Sequence, residues 1–137
     1  MGMMCADVVE VKMKESWLKE QGYEIKNAKI TNADLDMRDH GCMTMRITLD
    51  GDGWGVNYGG YCLGHGYLGA KEFDGSAKGM ESIMRIMDVV GVECFSDLTG
   101  KYVRVATKGW GTTVKIIGNV IKDQWFDIEE FFKDGEV

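Results

Sequence analysis

Residues 42–58 read CMTMRITLDGDGWGVNY, and this stretch decides the fold. Up to Asp50 it alternates apolar and polar side chains, which is the period of a β-strand with one buried face. The letters DGDG at 50–53 predict a hairpin, because glycine tolerates the positive φ of tight turns. Trp54, Val56 and Tyr58 then alternate again, so residues 54–63 are predicted to form the partner strand.

Weaker alternation surrounds this hairpin. Residues 23–35 are predicted to form a preceding strand, and two later strands are predicted around Val103–Val105 and at 114–121. Between them, residues 76–90 carry apolar side chains at three-to-four spacing and end at Gly91, which predicts the main core helix. The apolar positions of that helix are Ala77, Met80, Ile83, Met84, Met87 and Val90.

The ends of the chain are also predicted to be helical. Asp127 and Glu130 form a capping box for a short helix through Phe132, and residues 6–20 form an amphipathic helix within an N-terminal extension, 1–22. Residues 23–137 are then one α+β domain. Its predicted architecture is an antiparallel sheet of about five strands with one long core helix and a short C-terminal helix, in the order βββαββα.

Composition and charge exclude several classes of protein. The chain has 137 residues, 45% of them hydrophobic and 28% charged, as in an ordinary folded domain. Its formal net charge of -6 argues against a general DNA or RNA binder, which needs a basic surface to displace counterions from phosphate. A few cations converging in one pocket can still hold a small anion.

The expected location is the cytoplasm. No apolar run approaches the roughly 20 residues that span a bilayer, and the first residues lack the basic and apolar regions of a secretory signal. The cysteines at 5, 42, 62 and 94 are therefore expected to be free thiols.

Four metal-ligating side chains lie on the arms of the predicted hairpin: His40, Cys42, Cys62 and His65. Their spacing matches no common zinc module, and strand parity places Cys42 on the face opposite Met43. Single cysteines in strands are more often small apolar fillers, so no metal is expected here. A thiolate pair of Cys62 and His65 lacks any recognisable orienting group or oxyanion hole.

Other catalytic patterns are weaker. The aspartates cluster at predicted turns, where carboxylates usually bond to the backbone. The glycine-rich stretch 51–69 contains neither a P-loop nor a dinucleotide-binding fingerprint. We therefore expect a protein that is not an enzyme and uses no cofactor.

Aromatic side chains recur beside cations, a mixture that suits a nucleotide-like ligand. Aromatic faces stack on purines and guanidinium groups bind phosphate. Any one of these aromatics could instead belong to the core, but a tryptophan between two glycines, as at 109–111, is unusual there. The predicted ligand-binding residues are Arg38, His40, Arg46, Trp54, Tyr58, Phe95, Arg104, Lys108 and Trp110.

Several segments, taken in order over residues 23–132, resemble one family of small phage proteins. They are IKNAKI at 25–30, DHG at 39–41, LD at 49–50, GGY at 59–61, GME at 79–81, VGV at 90–92, GKYVR at 100–104 and IGNVIKDQWF at 117–126. The ensemble is similar to the Thoeris anti-defence family, or to a related phage or prophage family.

This resemblance implies a function. Members of that family sequester cyclic ADP-ribose isomers made by TIR-domain enzymes, and some hold cyclic oligonucleotides, without degrading them. They act as symmetric oligomers with ligand pockets between subunits, so a homo-oligomer is expected here, a dimer or higher, up to a hexamer. Phe95 stands where the family pattern suggests tryptophan, so an N–H donor is lost at that position.

Two alternatives remain open. The first is a protein-binding inhibitor of a host defence complex, of the anti-CRISPR or anti-restriction type, whose acidic surface engages a basic host protein. The second is a zinc- or thiol-dependent enzyme built on His40, Cys42, Cys62 and His65.

Overall fold

The computed structural model describes residues 13–66, 69–109 and 111–134, and within them seven strands form a single antiparallel sheet. The strands are β1 (Glu24–Asp39), β2 (Cys42–Asp50), β3 (Gly55–His65), β4 (Asp74–Gly75), β5 (Tyr102–Thr107), β6 (Ile116–Gly118) and β7 (Trp125–Asp127). Their order across the sheet is β4-β3-β2-β1-β5-β6-β7. The alternation in residues 42–58 does form the β2–β3 hairpin, with Leu49 paired to Val56.

Three short α-helices accompany this sheet in the described part of the chain. They are α1 (Glu15–Glu20), α2 (Ala77–Val90) and α3 (Ile128–Asp134), and a short 3-10 helix spans Phe95–Leu98. Residues 6–12 of the predicted N-terminal helix lie outside the described residues. None of the described helices has the length and apolar character needed to cross a membrane.

The prediction of about five strands under one long core helix is wrong. The chain is mostly a curled antiparallel sheet of seven strands with short helices. β4 has two residues and β7 has three, and neither shows a sequence period because a period needs about four residues to be visible. The predicted strand at 114–121 is shorter than expected, since β6 covers only Ile116–Gly118.

Register shifts account for the curl of the long strands. β1 and β2 lose register between Ile30 and Asn32, and again between Asp36 and Asp39. β2 and β3 lose it at two places, between Cys42 and Thr44 and between Thr44 and Arg46. Each shift is a β-bulge, which bends its strand and increases the local twist.

The main core lies between one face of the sheet and α2. Ile30, Ile47 and Val103 from the sheet contact Ile86 and other residues of the helix. Ser76 is the N-cap residue of α2, and its Oγ accepts a hydrogen bond from the Gly79 N–H at 2.9 Å. A Cβ at Gly79 would lie 2.8 Å from the Leu63 Cα, so glycine permits this close approach of helix to strand.

A second, smaller core covers the opposite face at the β5–β6–β7 end. Leu18 of α1 is fully buried there against Ala106, Ile116 and Trp125. The two faces are therefore both covered at this end of the sheet.

Candidate ligand-binding site

A cavity of about 410 Å³ opens at the end of the main core, beside Trp54. Its walls come from Lys26 of β1, from Trp54, Gly55 and Val56 at the start of β3, and from the end of β5 and the segment after it. The last group consists of Thr107, Gly109, Gly111, Thr112, Thr113 and Val114. We call it the Trp54 cavity. Its volume lies within the range usual for small-molecule sites, about 300–1,000 Å³.

The Trp54 side chain is held by the turn that precedes it. The Gly51 N–H donates to the Trp54 carbonyl oxygen at 2.8 Å, and a Cβ at Gly51 would overlap the indole ring. Glycine at 51 thus lets the ring lie against the backbone. The Lys26 Nζ stands 5.8 Å from the centre of the Trp54 ring, so a cation and an aromatic face meet in this cavity.

Threonine hydroxyls fix the opposite wall. The Gly109 N–H donates to the Thr107 Oγ1 at 3.2 Å, and the Thr112 Oγ1 donates to the Gly109 carbonyl at 2.6 Å. Gly109 and Gly111 have φ of 118° and 81°, values that favour glycine. The hydroxyl bonds preorganise this turn, which reduces the entropy lost when a ligand binds to it.

A second cavity of about 350 Å³ shares Thr112 and Thr113 with the first. We call it the Lys108 cavity, because the Lys108 Nζ lies in its wall, 4.8 Å from the centre of the Tyr23 ring. Lys115 lines it too, paired with Glu129 at 3.2 Å. The hydrogen bond to Glu129 raises the pKa of Lys115, so this lysine stays charged at neutral pH.

The two cavities together offer binding chemistry. Trp54 and Tyr23 supply aromatic surface, and Lys26 and Lys108 supply positive charge. Glu129 is the one carboxylate among the described lining residues, and its ion pair with Lys115 occupies it. An aromatic anion fits these walls, since its ring can stack and its charge can be neutralised.

Arg104, predicted to bind ligand, is instead engaged by the protein. Its three nitrogens donate to the Asn119 carbonyl at 2.8 Å, to the Glu15 carboxylate at 2.8 Å and to the Lys122 carbonyl at 2.9 Å. Its guanidinium carbon lies 4.6 Å from the centre of the Trp125 ring. We call these residues the Arg104 cluster, and it attaches α1 to the sheet.

Arg38, His40 and Arg46 lie at the other side of the sheet, around the β1–β2 turn. Arg38 and Arg46 reach the same oxygen of Asp36 at 3.5 and 3.4 Å. The His40 Nδ1 lies 2.9 Å from the Asp39 carboxylate, and its side chain is 95% exposed. The structure therefore does not bring these three residues to the Trp54 cavity.

Two predicted aromatics pack in the main core. Tyr58 is buried, and its hydroxyl lies 3.2 Å from the Lys115 carbonyl and 3.3 Å from the Phe126 carbonyl. Burial raises the pKa of Tyr58 well above its usual value, so it remains a neutral hydrogen-bond donor. Phe95 packs against the same core from the 3-10 helix. Trp110 lies outside the described residues.

Of the nine predicted ligand residues, Trp54 and Lys108 line the two adjoining cavities. Sequence reasoning missed Tyr23, Lys26 and the threonines at 107, 112 and 113. Thr112 and Thr113 follow a glycine turn and Thr107 precedes it, which was a usable signal for a fixed loop. Lys26 gave no signal of this kind in the sequence, because only the pairing of β1 with β5 places it beside that loop.

The metal-ligand candidates on the hairpin are partly brought together. The Sγ atoms of Cys42 and Cys62 and a ring nitrogen of His65 all lie within 4.8 Å of one another. His40 is not a member of this group. We call the three residues the cysteine cluster.

Comparison with protein-family models, with curated proteins and with solved structures found no match.

Proposed function

We propose that the protein binds a cyclic nucleotide signal and sequesters it without degrading it. The observation that carries this proposal is the Trp54 cavity, where an indole face and the Lys26 ammonium border a fixed glycine turn. The resemblance of residues 23–132 to the Thoeris anti-defence family supplies the ligand class: cyclic ADP-ribose isomers, or cyclic oligonucleotides. A phage-encoded anti-defence role follows from the same resemblance.

Stacking would provide part of the affinity. A purine ring placed on Trp54 gains about 1–3 kcal/mol, the range found for one base on an aromatic side chain. The Trp54 indole is already positioned against Gly51, so binding would cost little side-chain entropy.

Positive charge would provide the rest. Lys108 and Lys115 line the Lys108 cavity, which adjoins the Trp54 cavity through Thr112 and Thr113. A nucleotide whose base lies in the first cavity can thus place its phosphates near the cations of the second cavity. A homo-oligomer, a dimer or higher, would carry two or more sites of this kind. Each oligomer would then bind more signal molecules than one subunit can.

Sequestration rather than turnover is supported by the character of the walls. The one described carboxylate in the lining, Glu129, is bonded to Lys115 and is not placed as a free general base. The Thr107–Thr112 hydroxyl bonds make a rigid wall, which suits tight binding without a moving lid.

Calorimetry with purified protein tests this proposal. We expect a measurable heat of binding when a cyclic ADP-ribose isomer or a cyclic trinucleotide is added. The Trp54→Ala variant should bind the same ligand at least about 10-fold more weakly, equivalent to about 1.4 kcal/mol. Trp17→Ala is the matched control, since Trp17 is exposed on α1. The ligand released by heating should elute unchanged on chromatography. Absence of heat with every cyclic nucleotide, or a degraded ligand, would contradict the proposal.

A second candidate is a protein-binding inhibitor of a host defence complex. It is favoured by an exposed apolar surface formed by Leu35, Phe73, Met80 and Met84, which are 43–63% exposed. Such a surface on an acidic chain suits a protein partner. Stoichiometric co-purification of one host protein, lost in Phe73→Asp and kept in Trp54→Ala, would favour this function over sequestration.

A further inference from the structure

The cysteine cluster is built by a β-bulge. Cys42 pairs with His65 across the hairpin and Thr44 pairs with Cys62, so three residues of β2 (42–44) lie opposite four residues of β3 (62–65). In a regular strand, residues 62 and 65 would point to opposite faces. The extra residue in β3 brings Cys62 and His65 to the same face.

That face is also the one that carries Cys42. Met43 packs against the main core, so Cys42 points away from it, as strand parity predicts. From the sequence, parity was one objection to a metal site, because it places Cys42 on the face opposite Met43. The bulge puts Cys62 and His65 on that same face, so the three side chains can meet there.

The three donor atoms are spaced almost as they would be around a bound ion. The Cys62 Sγ lies 3.5 Å from the His65 Nε2, and all three donor atoms lie within 4.8 Å of one another. In a tetrahedral zinc site, donors about 2.0–2.3 Å from the ion are separated by about 3.3–3.8 Å. Small side-chain rotations suffice to close the remaining gap, since Cys62 and His65 are exposed.

The backbone beneath the cluster is held on both sides. His65 pairs with Cys42 of β2 and with Asp74 of β4, and the Gly66 N–H donates to the Gly41 carbonyl at 2.8 Å. Sites on strands fixed in this way keep their ligands in place. Electrostatics also favour a cation, because Asp39 is paired with Cys42 across β1 and β2 and adds negative charge.

We propose that Cys42, Cys62 and His65 bind one zinc-type divalent ion, with two thiolates and one imidazole as ligands. The fourth position faces solvent, because two of the three ligands are exposed, and water or a donor from a bound partner would fill it. Structural zinc sites are normally closed by four protein ligands, whereas three ligands leave one exchangeable position. This site is separate from the Trp54 cavity and does not depend on the proposed function.

The test uses untagged, reduced, metal-free full-length protein titrated with Co²⁺ and then with Zn²⁺. We expect one ion per chain, a tetrahedral cobalt spectrum with thiolate-to-cobalt charge transfer, and its loss when Zn²⁺ displaces Co²⁺. Affinity should rise with pH, because both thiols must lose their protons to bind the ion.

Single substitutions identify the ligands. Cys42→Ser, Cys62→Ser and His65→Asn should each weaken binding by at least about 100-fold, since even outer-shell changes cost about 10–100-fold. Cys94→Ser and His40→Asn are matched controls and should bind as the unaltered chain does. Circular dichroism of every variant confirms that it is folded.

Several results would overturn the proposal. One is the absence of a tetrahedral cobalt spectrum in the reduced protein. A second is equal binding by Cys62→Ser and the unaltered chain, and a third is loss of binding in Cys94→Ser. Formation of a Cys42–Cys62 disulfide in air, combined with no metal binding after reduction, would identify a redox pair instead.

Discussion

Within the part of the chain that the structure describes, two cations lie over a tryptophan ring, and their surroundings differ. Arg104 lies 4.6 Å from the centre of the Trp125 ring, and Lys26 lies 5.8 Å from that of Trp54. Arg104 has a side chain only 14% exposed, with three nitrogens bonded to the protein. Lys26 and Trp54 line an open cavity.

This difference distinguishes a cation that stabilises the fold from a cation that is available to bind a ligand. Each pair combines a tryptophan with a cation, and in neither pair are the two residues close in sequence. Arg104 has donated its hydrogen bonds within the fold, so removing it should cost stability. Lys26 has only a distant ion pair with Glu24, at 3.8 Å, so removing it should cost binding. The predictions below test this division.

The largest effect is expected from Leu18→Ala. Leu18 is fully buried and attaches α1 to the sheet beside the Arg104 cluster. Removing its side chain should lower the free energy of unfolding by about 3–4 kcal/mol, within the range for buried leucines. Chemical denaturation measures this. A loss below about 1 kcal/mol would mean that α1 does not need this contact.

The next effect is expected from Arg104→Ala. Loss of three hydrogen bonds and of the Trp125 contact should lower the free energy of unfolding by about 2–3 kcal/mol. Arg38→Ala is the matched control, since the Arg38 side chain is 80% exposed and its ion pair, at 3.5 Å, is with Asp36 on its own strand; it should change stability by less than about 0.5 kcal/mol. A weaker affinity for ligand in folded Arg104→Ala, without loss of stability, would reverse the comparison.

Asp123→Ala should have a smaller, pH-dependent effect. The Asp123 Oδ1 accepts hydrogen bonds from the Glu15 N–H and the Trp125 Nε1, both at 2.7 Å. Desolvation opposes ionisation of Asp123, but these bonds, with Lys14 and Arg104 nearby, hold its pKa below the ordinary 3.8. We expect a loss of about 1–2 kcal/mol at neutral pH, as for other helix caps.

The sign of the pH dependence follows from that pKa. Because folding lowers the pKa of Asp123, its contribution is present above about 3.8 and disappears as the pH falls through the folded value. The stability difference between Asp123→Ala and the unaltered chain should therefore shrink in acid. A difference that is constant down to the acid transition would show that the charge of Asp123 does not contribute.

The smallest effect on stability is expected at the cavities. Lys108→Ala removes an exposed ammonium beside Tyr23, so stability should change by less than about 0.5 kcal/mol. Binding of a cyclic nucleotide should weaken, and its dependence on salt should become shallower. Lys101→Ala, at the other end of β5, is the matched control. Equal affinity in both variants would remove Lys108 from the site.

Residues 42–58 show how much the sequence could predict. Their alternation fixes which side chains face the core, since the period of a strand is local. Gly91 marked the end of α2 for the same reason, while the sequence offered both Asp74 and Ser76 as its N-cap and the structure uses Ser76. The apolar stripe of that helix was less informative, because Met80 and Met84 are exposed while Gly79 and Ser82 are buried.

The candidate site could be predicted only in part. Trp54 and Lys108 were identifiable as an aromatic and a cation near glycines. Lys26 and Tyr23 were not, because they come from a strand and a turn far away in the chain. Tyr58 and Arg104 looked like ligand residues, and nothing local in the sequence shows that one is buried and the other bonded.

The sequence by itself determined the hairpin, the C-terminal limit of α2 and the acidic balance of the chain, because each depends on neighbouring residues. The tertiary structure decided which cations are free and which are bonded. It also decided that Cys62 and His65 share a face, since a bulge depends on how two strands pair. Hydrogen-bond partners and register are properties of strands brought together, and no single segment contains them.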